Sequence, residues 1–150
     1  MLSVTSEYAL RALAELARRP RNHAMLGRDL AESTGVPPKY LSKIMLSLRN
    51  AGIVSTSRGT GGGYRLHRRP GSIRMMEIVR LFEGPAIKPS CLLDSTRKCS
   101  EHNSCTAHPL WRVVQDAYLQ FLYGTTLNDL ADNCGAPAAG GVVPVGGRNR

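Results

Sequence analysis

At Ile53 the spacing of apolar residues changes from helical to alternating, and this change restricts the fold more than any other feature of the chain. In 53–69, IVSTSRGTGGGYRLHRR, two short stretches of period two flank a turn with glycines at 59, 61, 62 and 63. Strands send successive side chains to opposite faces, and glycine supplies the positive φ of a tight reversal, so the stretch reads as a β-hairpin. Before it, Pro37 and Pro38 open a helix, since proline suits a first turn whose N–H has no partner. Tyr40, Leu41, Ile44, Met45 and Leu48 form its core face, Lys39, Ser42, Lys43, Ser47 and Arg49 point outward, and Gly52 ends it. A shorter helix over 27–33 precedes that one, with Leu26, Leu30 and Ala31 as its stripe and Gly35 as its stop.

Two short helices about a glycine turn, the second outwardly basic, fit either a helix-turn-helix or an ordinary helical hairpin with a solvated charged face. The β-hairpin decides for the former, because in that position it is a wing, and it carries Arg58, Arg65, Arg68 and Arg69. A nucleotide-binding loop is the rival use for GTGGG, but no lysine–serine or lysine–threonine pair follows it and no helix begins there. Charge agrees: 20 Lys and Arg against 11 Asp and Glu give +9 over 150 residues, which points to a polyanionic partner.

Outside this unit the chain reads as mainly helical. An amphipathic first helix over 6–18, capped by Thr5 or Ser6, ends before Pro20, and another helix spans 75–82. From Pro109 a long last helix carries Leu110, Trp111, Val113, Val114, Ala117, Tyr118, Phe121 and Leu122. That band is wider than one core contact needs, so the helix is expected to pack on a second copy of itself; a helix buried in its own domain is the alternative. Residues 125–132 are expected to fold back against it. The expected division is 1–84 for the DNA-binding head, 85–108 for a cysteine loop, 109–132 for the dimerisation helix and 133–150 for a Gly/Ala/Pro/Val tail that orders poorly, with Cys134 a bystander. No run is long and apolar enough to cross a bilayer and no secretory signal is evident, so a soluble cytoplasmic protein is expected.

The segment 91–111, CLLDSTRKCSEHNSCTAHPLW, has no hydrophobic period yet holds three cysteines and a histidine at C-x7-C-x5-C-x2-H. Disulfides need an oxidising compartment, and buried structural cysteines do not suit so polar a setting as Lys98, Ser100, Glu101, His102 and Asn103. Thiolates and imidazole are what soft or borderline metals prefer, so a metal or cluster site is the leading reading, with redox-active thiols next.

With YALRALAELA, GVPPKYLSKIMLSLRNAGIVSTSRGTGGGYRL and CTAHPLW in place, the chain resembles the Rrf-two family of bacterial winged-helix regulators from Met1 to about Asp132. The resemblance implies a homodimeric transcriptional regulator or repressor, not an enzyme, that binds partly palindromic promoter DNA and senses iron, redox state or nitric oxide through an iron–sulfur cluster. It implies Cys91, Cys99 and Cys105 as ligands, with His108 as the fourth in the manner of IscR-like members, or Glu7 supplied across the dimer in the manner of NsrR-like members. A two-iron two-sulfur cluster is favoured, with four-iron four-sulfur as an alternative because the first cysteine gap is RirA-like. The runner-up is the same regulator with a structural zinc site or a thiol switch. In the DNA complex, Lys39, Tyr40, Ser42 and Lys43 are expected nearest the base edges, with Arg28 and Pro38 beside them. Arg58, Gly59, Thr60, Gly62 and Arg65 are expected at the wing.

Overall fold

The structure, a computed structural model, describes residues 2–85, 87, 90–94, 96, 97 and 99–132. Its order is α1 (Val4–Ala17), α2 (Gly27–Thr34), α3 (Pro38–Asn50), β1 (Val54–Ser57), β2 (Gly63–Leu66), a single 3₁₀ turn (Pro70–Ser72), α4 (Met75–Glu83), α5 (His108–Gly124) and α6 (Leu127–Asp132). The mainly helical architecture with one small hairpin is the expected one. The tail and Cys134 lie outside the described residues.

α1 begins earlier than expected because Ser3, not Thr5 or Ser6, is its cap: the Ser3 hydroxyl accepts the Ser6 N–H at 3.3 Å. Ser6 is instead buried and donates its own hydroxyl to the Glu83 carboxylate at 2.6 Å. The Ser3 N–H reaches the same carboxylate oxygen at 2.7 Å, so one acidic side chain at the end of α4 fastens the start of α1. Partial burial pushes the Glu83 carboxyl up, but the hydrogen bonds from Ser6 and Ser3 outweigh it and leave it below the ordinary carboxylate value.

α2 stops at Gly35 in the left-handed conformation, φ 68°, as a glycine after a helix is suited to do. α3 starts on Pro38, and its buried face is Leu41, Ile44, Met45 and Leu48. Tyr40 does not share that face: it stands 57% exposed, a correction to the core stripe read from spacing. The strands pair antiparallel from Val54 opposite Leu66 to Ser57 opposite Gly63. Met25 extends the hairpin by a bridge, exchanging backbone hydrogen bonds with Tyr64 at 2.8 Å each way. That close approach requires Gly63, since a Cβ there would meet the Met25 carbonyl oxygen at 2.2 Å.

One core holds the head together. Ala9, Ala12, Leu13 and Leu16 of α1 meet Leu30, Leu48, Ile53, Ile78 and Val79, and Leu122 of α5 and Leu127 of α6 join the same cluster. Each such leucine removed from water is worth about 1.5–3 kcal/mol. Backbone bonds from Met75 to the Thr125 carbonyl (2.9 Å) and from Leu127 to the Ile73 carbonyl (3.0 Å) clamp the end of the long helix to the start of α4.

Candidate metal centre and nucleic-acid interface

The cysteine segment follows α4 and feeds α5, and backbone and side-chain bonds among its described residues shape it. The Cys91 N–H donates to the Arg97 carbonyl (3.2 Å) and the Asn103 N–H to the Ser100 carbonyl (3.1 Å), while the Asp94 carboxylate turns the chain by accepting from the Thr96 N–H and hydroxyl. Arg97 reaches the Asn103 side chain and Arg112 the Glu101 carboxylate. The indole N–H of Trp111 donates to the Ser90 carbonyl at 2.8 Å, which brings the start of the segment against the start of α5.

Within that frame the sulfurs of Cys91, Cys99 and Cys105 lie within 4.8 Å of one another, and none is in a disulfide. Cys91 is buried, and the nearest thiol pair, Cys91 and Cys105, is 3.5 Å apart. The Leu93 backbone N–H, followed by the Cys99 thiol, lowers the Cys91 thiol to about 7, while its contact with Cys91 raises Cys99. One thiolate is therefore readily formed in a pocket of three sulfurs, as a soft metal requires.

The donor set suits a thiophilic centre. Two thiolates on one tetrahedral ion at ~2.3 Å stand ~3.8 Å apart, close to the spacing here. A four-iron cube binds each thiolate to a different iron and needs them more widely spread. Neither His108 nor Glu7 joins the set of three among the described residues. His108 opens α5, its backbone N–H donates to the Cys105 carbonyl at 3.0 Å, and its Nδ1 is buried without a hydrogen-bond partner. A buried ring nitrogen left unpaired is costly, and coordination would relieve that cost. Glu7 sits exposed in the first turn of α1.

Beyond the loop, α5 turns Leu110, Val113, Val114 and Phe121 outward, with Leu110 80% and Val113 68% exposed. The band expected from sequence is thus present, and among the described residues of the single chain its burial is confined to the C-terminal end, through Leu122.

The basic face lies on α3 and the wing. Lys39, Tyr40, Ser42 and Lys43 are exposed along the N-terminal half of α3, Ser42 donating its hydroxyl to the Pro38 carbonyl at 3.0 Å. Arg58, Gly59 and Thr60 are exposed at the hairpin tip, and Arg65 lies beside Ser55, its Nε donating to that hydroxyl at 3.3 Å. Gly62 differs: it is buried, and its N–H closes the turn onto the Gly59 carbonyl at 2.9 Å. Arg28 is exposed and lies 3.5 Å from the Asp29 carboxylate. Arg68, counted with the wing cations from sequence, is instead engaged by Glu77 and the Ser72 carbonyl, so it braces the base of the wing. Spacing also concealed an aromatic contact: the Tyr8 and Tyr40 rings meet edge to face at 6.2 Å, joining α1 to the exposed start of α3.

The family described as Rrf2, iron-dependent transcriptional regulators, matches residues 2–133. The chain belongs to the Rrf2 family. Among its Rrf2-type relatives is an rrf2-like HTH-type transcriptional regulator of Rhodobacter capsulatus, 34% identical over 146 residues that cover 93% of this chain and 97% of the relative. The HTH-type transcriptional regulator IscR of Enterobacter sp. is 30% identical over 132 residues, covering 88% of this chain and 80% of the relative. Among solved structures, CymR, the global cysteine regulator of B. subtilis, has a TM-score of 0.73 at 32% identity, covering 88% of this chain and 96% of that one. This Rrf2 protein is therefore a transcriptional regulator with a winged-helix head, and its three gathered cysteines form a group able to bind a metal or cluster.

Proposed function

We propose that this protein is a cytoplasmic homodimer that binds partly palindromic promoter DNA and couples that binding to an iron–sulfur centre held by Cys91, Cys99, Cys105 and His108. The observation that carries the reading is the convergence of three thiols within 4.8 Å at the foot of a helix whose apolar face is turned outward. Two-iron two-sulfur is the form favoured, because it lets two of the thiolates share one iron. The orphaned Nδ1 supports His108 over Glu7 as the fourth ligand.

In the DNA complex each α3 enters a major groove with Lys39, Tyr40, Ser42 and Lys43 at the base edges, and Arg58, Gly59, Thr60 and Arg65 reach the adjacent backbone or minor groove. Paired α5 helices set the two heads against half-sites about one helical turn, roughly 34 Å, apart or a multiple of that. An iron–sulfur centre supplies one-electron chemistry and sensitivity to oxidant, nitric oxide and iron supply. When the thiols are no longer held together, the loop between Cys91 and Pro109 loses its shared centre and is left with its own backbone and side-chain bonds, so the N-terminal turn of α5 loosens and the spacing of the heads changes.

Protein purified without air is expected to be brown, with acid-labile sulfide, visible absorption and at least two irons per chain, and His108→Ala is expected to lose these more than Glu7→Ala. A second reading, a Cys3His zinc site that only folds the loop, is favoured by the sulfur spacing, which suits a single tetrahedral ion. A colourless protein with one zinc per chain and no sulfide would establish that alternative. Mobility shift on promoter DNA tests the DNA arm apart from the metal.

A further inference from the structure

Arg11 leaves an acidic side chain one helical turn away unused. Glu7 lies four residues before it on α1, a spacing at which acidic and basic side chains meet across a helix surface. Yet no ion pair among the described residues joins the two. The Arg11 guanidinium instead lies over the Tyr8 ring, 5.7 Å from its centroid. Tyr8 in turn meets Tyr40 edge to face at 6.2 Å, the planes inclined at 70°. Stacking on a ring fixes a guanidinium in place while leaving its N–H donors, which point outward in its own plane, free for another acceptor. The exposed start of α3 is thus flanked by a fixed cation that no carboxylate among the described residues neutralises.

We infer that Arg11 contacts a DNA backbone phosphate beside the groove entered by α3, and that Tyr8 is the positioning residue for both that guanidinium and Tyr40. The inference deepens the DNA-binding reading and rests on it. Phosphate follows from the proposed docking: the major groove is about 12 Å wide, so with Tyr40 at the base edges a cation one ring further out falls at the groove wall. Phosphate is also the acceptor that a planar guanidinium matches with two parallel N–H bonds.

The test uses the full-length protein and two fluorescein-labelled duplexes, one recovered by selection from a randomised pool and one of the same length and scrambled sequence, titrated by anisotropy from low to moderate salt. Arg11→Met is expected to weaken both duplexes alike, by about ten-fold near physiological salt, and to lower the salt slope by about 0.9 for each phosphate it ceases to neutralise. Arg11→Lys should keep the slope. Tyr8→Leu should weaken the selected duplex more than the scrambled one, because Tyr40 is released, whereas Tyr8→Phe should match the parent. Thermal melts of Arg11→Met, an exposed change, keep loss of binding separate from loss of fold. Parent protein with no salt-dependent duplex binding would overturn the DNA reading and this inference with it. Parent that binds, beside Arg11→Met with the same affinity and slope, would overturn the inference alone.

Discussion

Two glycines that look alike in the sequence carry unequal weight. Gly35 needs its left-handed φ of 68° but has nothing within 4 Å of an added Cβ, so Gly35→Ala is expected to cost about 1 kcal/mol. Gly63, at φ 138° with the Met25 carbonyl 2.2 Å from that Cβ, admits alanine only by breaking the Met25–Tyr64 bridge. Gly63→Ala should therefore cost about 2–4 kcal/mol, read as a fall in urea midpoint, with weakened DNA binding as the wing detaches. Cys105→Ser works in the opposite sense. Cys105 lies outside the head's core cluster, so the variant should melt within about 0.5 kcal/mol of the parent. Under the proposed function it should nevertheless fail to hold iron and sulfide, measured by metal and sulfide assay. Side chains of one type thus separate into those that hold the fold and those that carry the chemistry, and only the packing around them tells which is which.

Elements add terms that no single residue has. The fastening of α1 to α4 depends on an ionised Glu83, whose carboxyl is held below its ordinary value of 4.5. A lowered value in the fold means that the contribution is complete above about pH 4.5 and is lost as pH falls through the lower folded value. The gap in melting temperature between the parent and Glu83→Gln should accordingly be widest near neutrality and close toward pH 3. On α5, Val113→Glu with Phe121→Glu should leave the single chain's fold intact, both positions being exposed, and turn the proposed homodimer into a monomer by sedimentation. Much of this level was legible in advance: the helices and hairpin followed from period, and the outward band of α5 from its width. What periodicity missed were choices among equivalent candidates. Ser3, Thr5 and Ser6 all offer a capping hydroxyl, and the decision rests with Glu83, distant in sequence. Tyr40 fell on the α3 stripe because helical spacing cannot tell a core ring from one resting edge-on against Tyr8. The cysteine spacing pointed to gathered donors, but which donors meet is fixed by turns at Asp94 and Ser100 that carry no period.

At the scale of the whole molecule, a charge of +9 is distributed by function. Arg68 and Arg80 are engaged inside the head, by Glu77 and Tyr123, while Lys39, Lys43 and Arg58 remain on the face of α3 and the wing. Arg58→Ala should lower the salt slope of DNA binding by about 0.9 per phosphate left unneutralised, in anisotropy titrations, without moving the melting midpoint. The hydrogen bond from the Trp111 indole to Ser90 has an architectural outcome of its own. Because it brings both mouths of the cysteine segment to one point, the stretch between them can change in length or donors while its anchors stay together. Under the proposed function the state of those donors is felt at the first turn of α5. On that reading, sensory chemistry sits in an interchangeable cartridge beside a DNA-reading frame that stays the same.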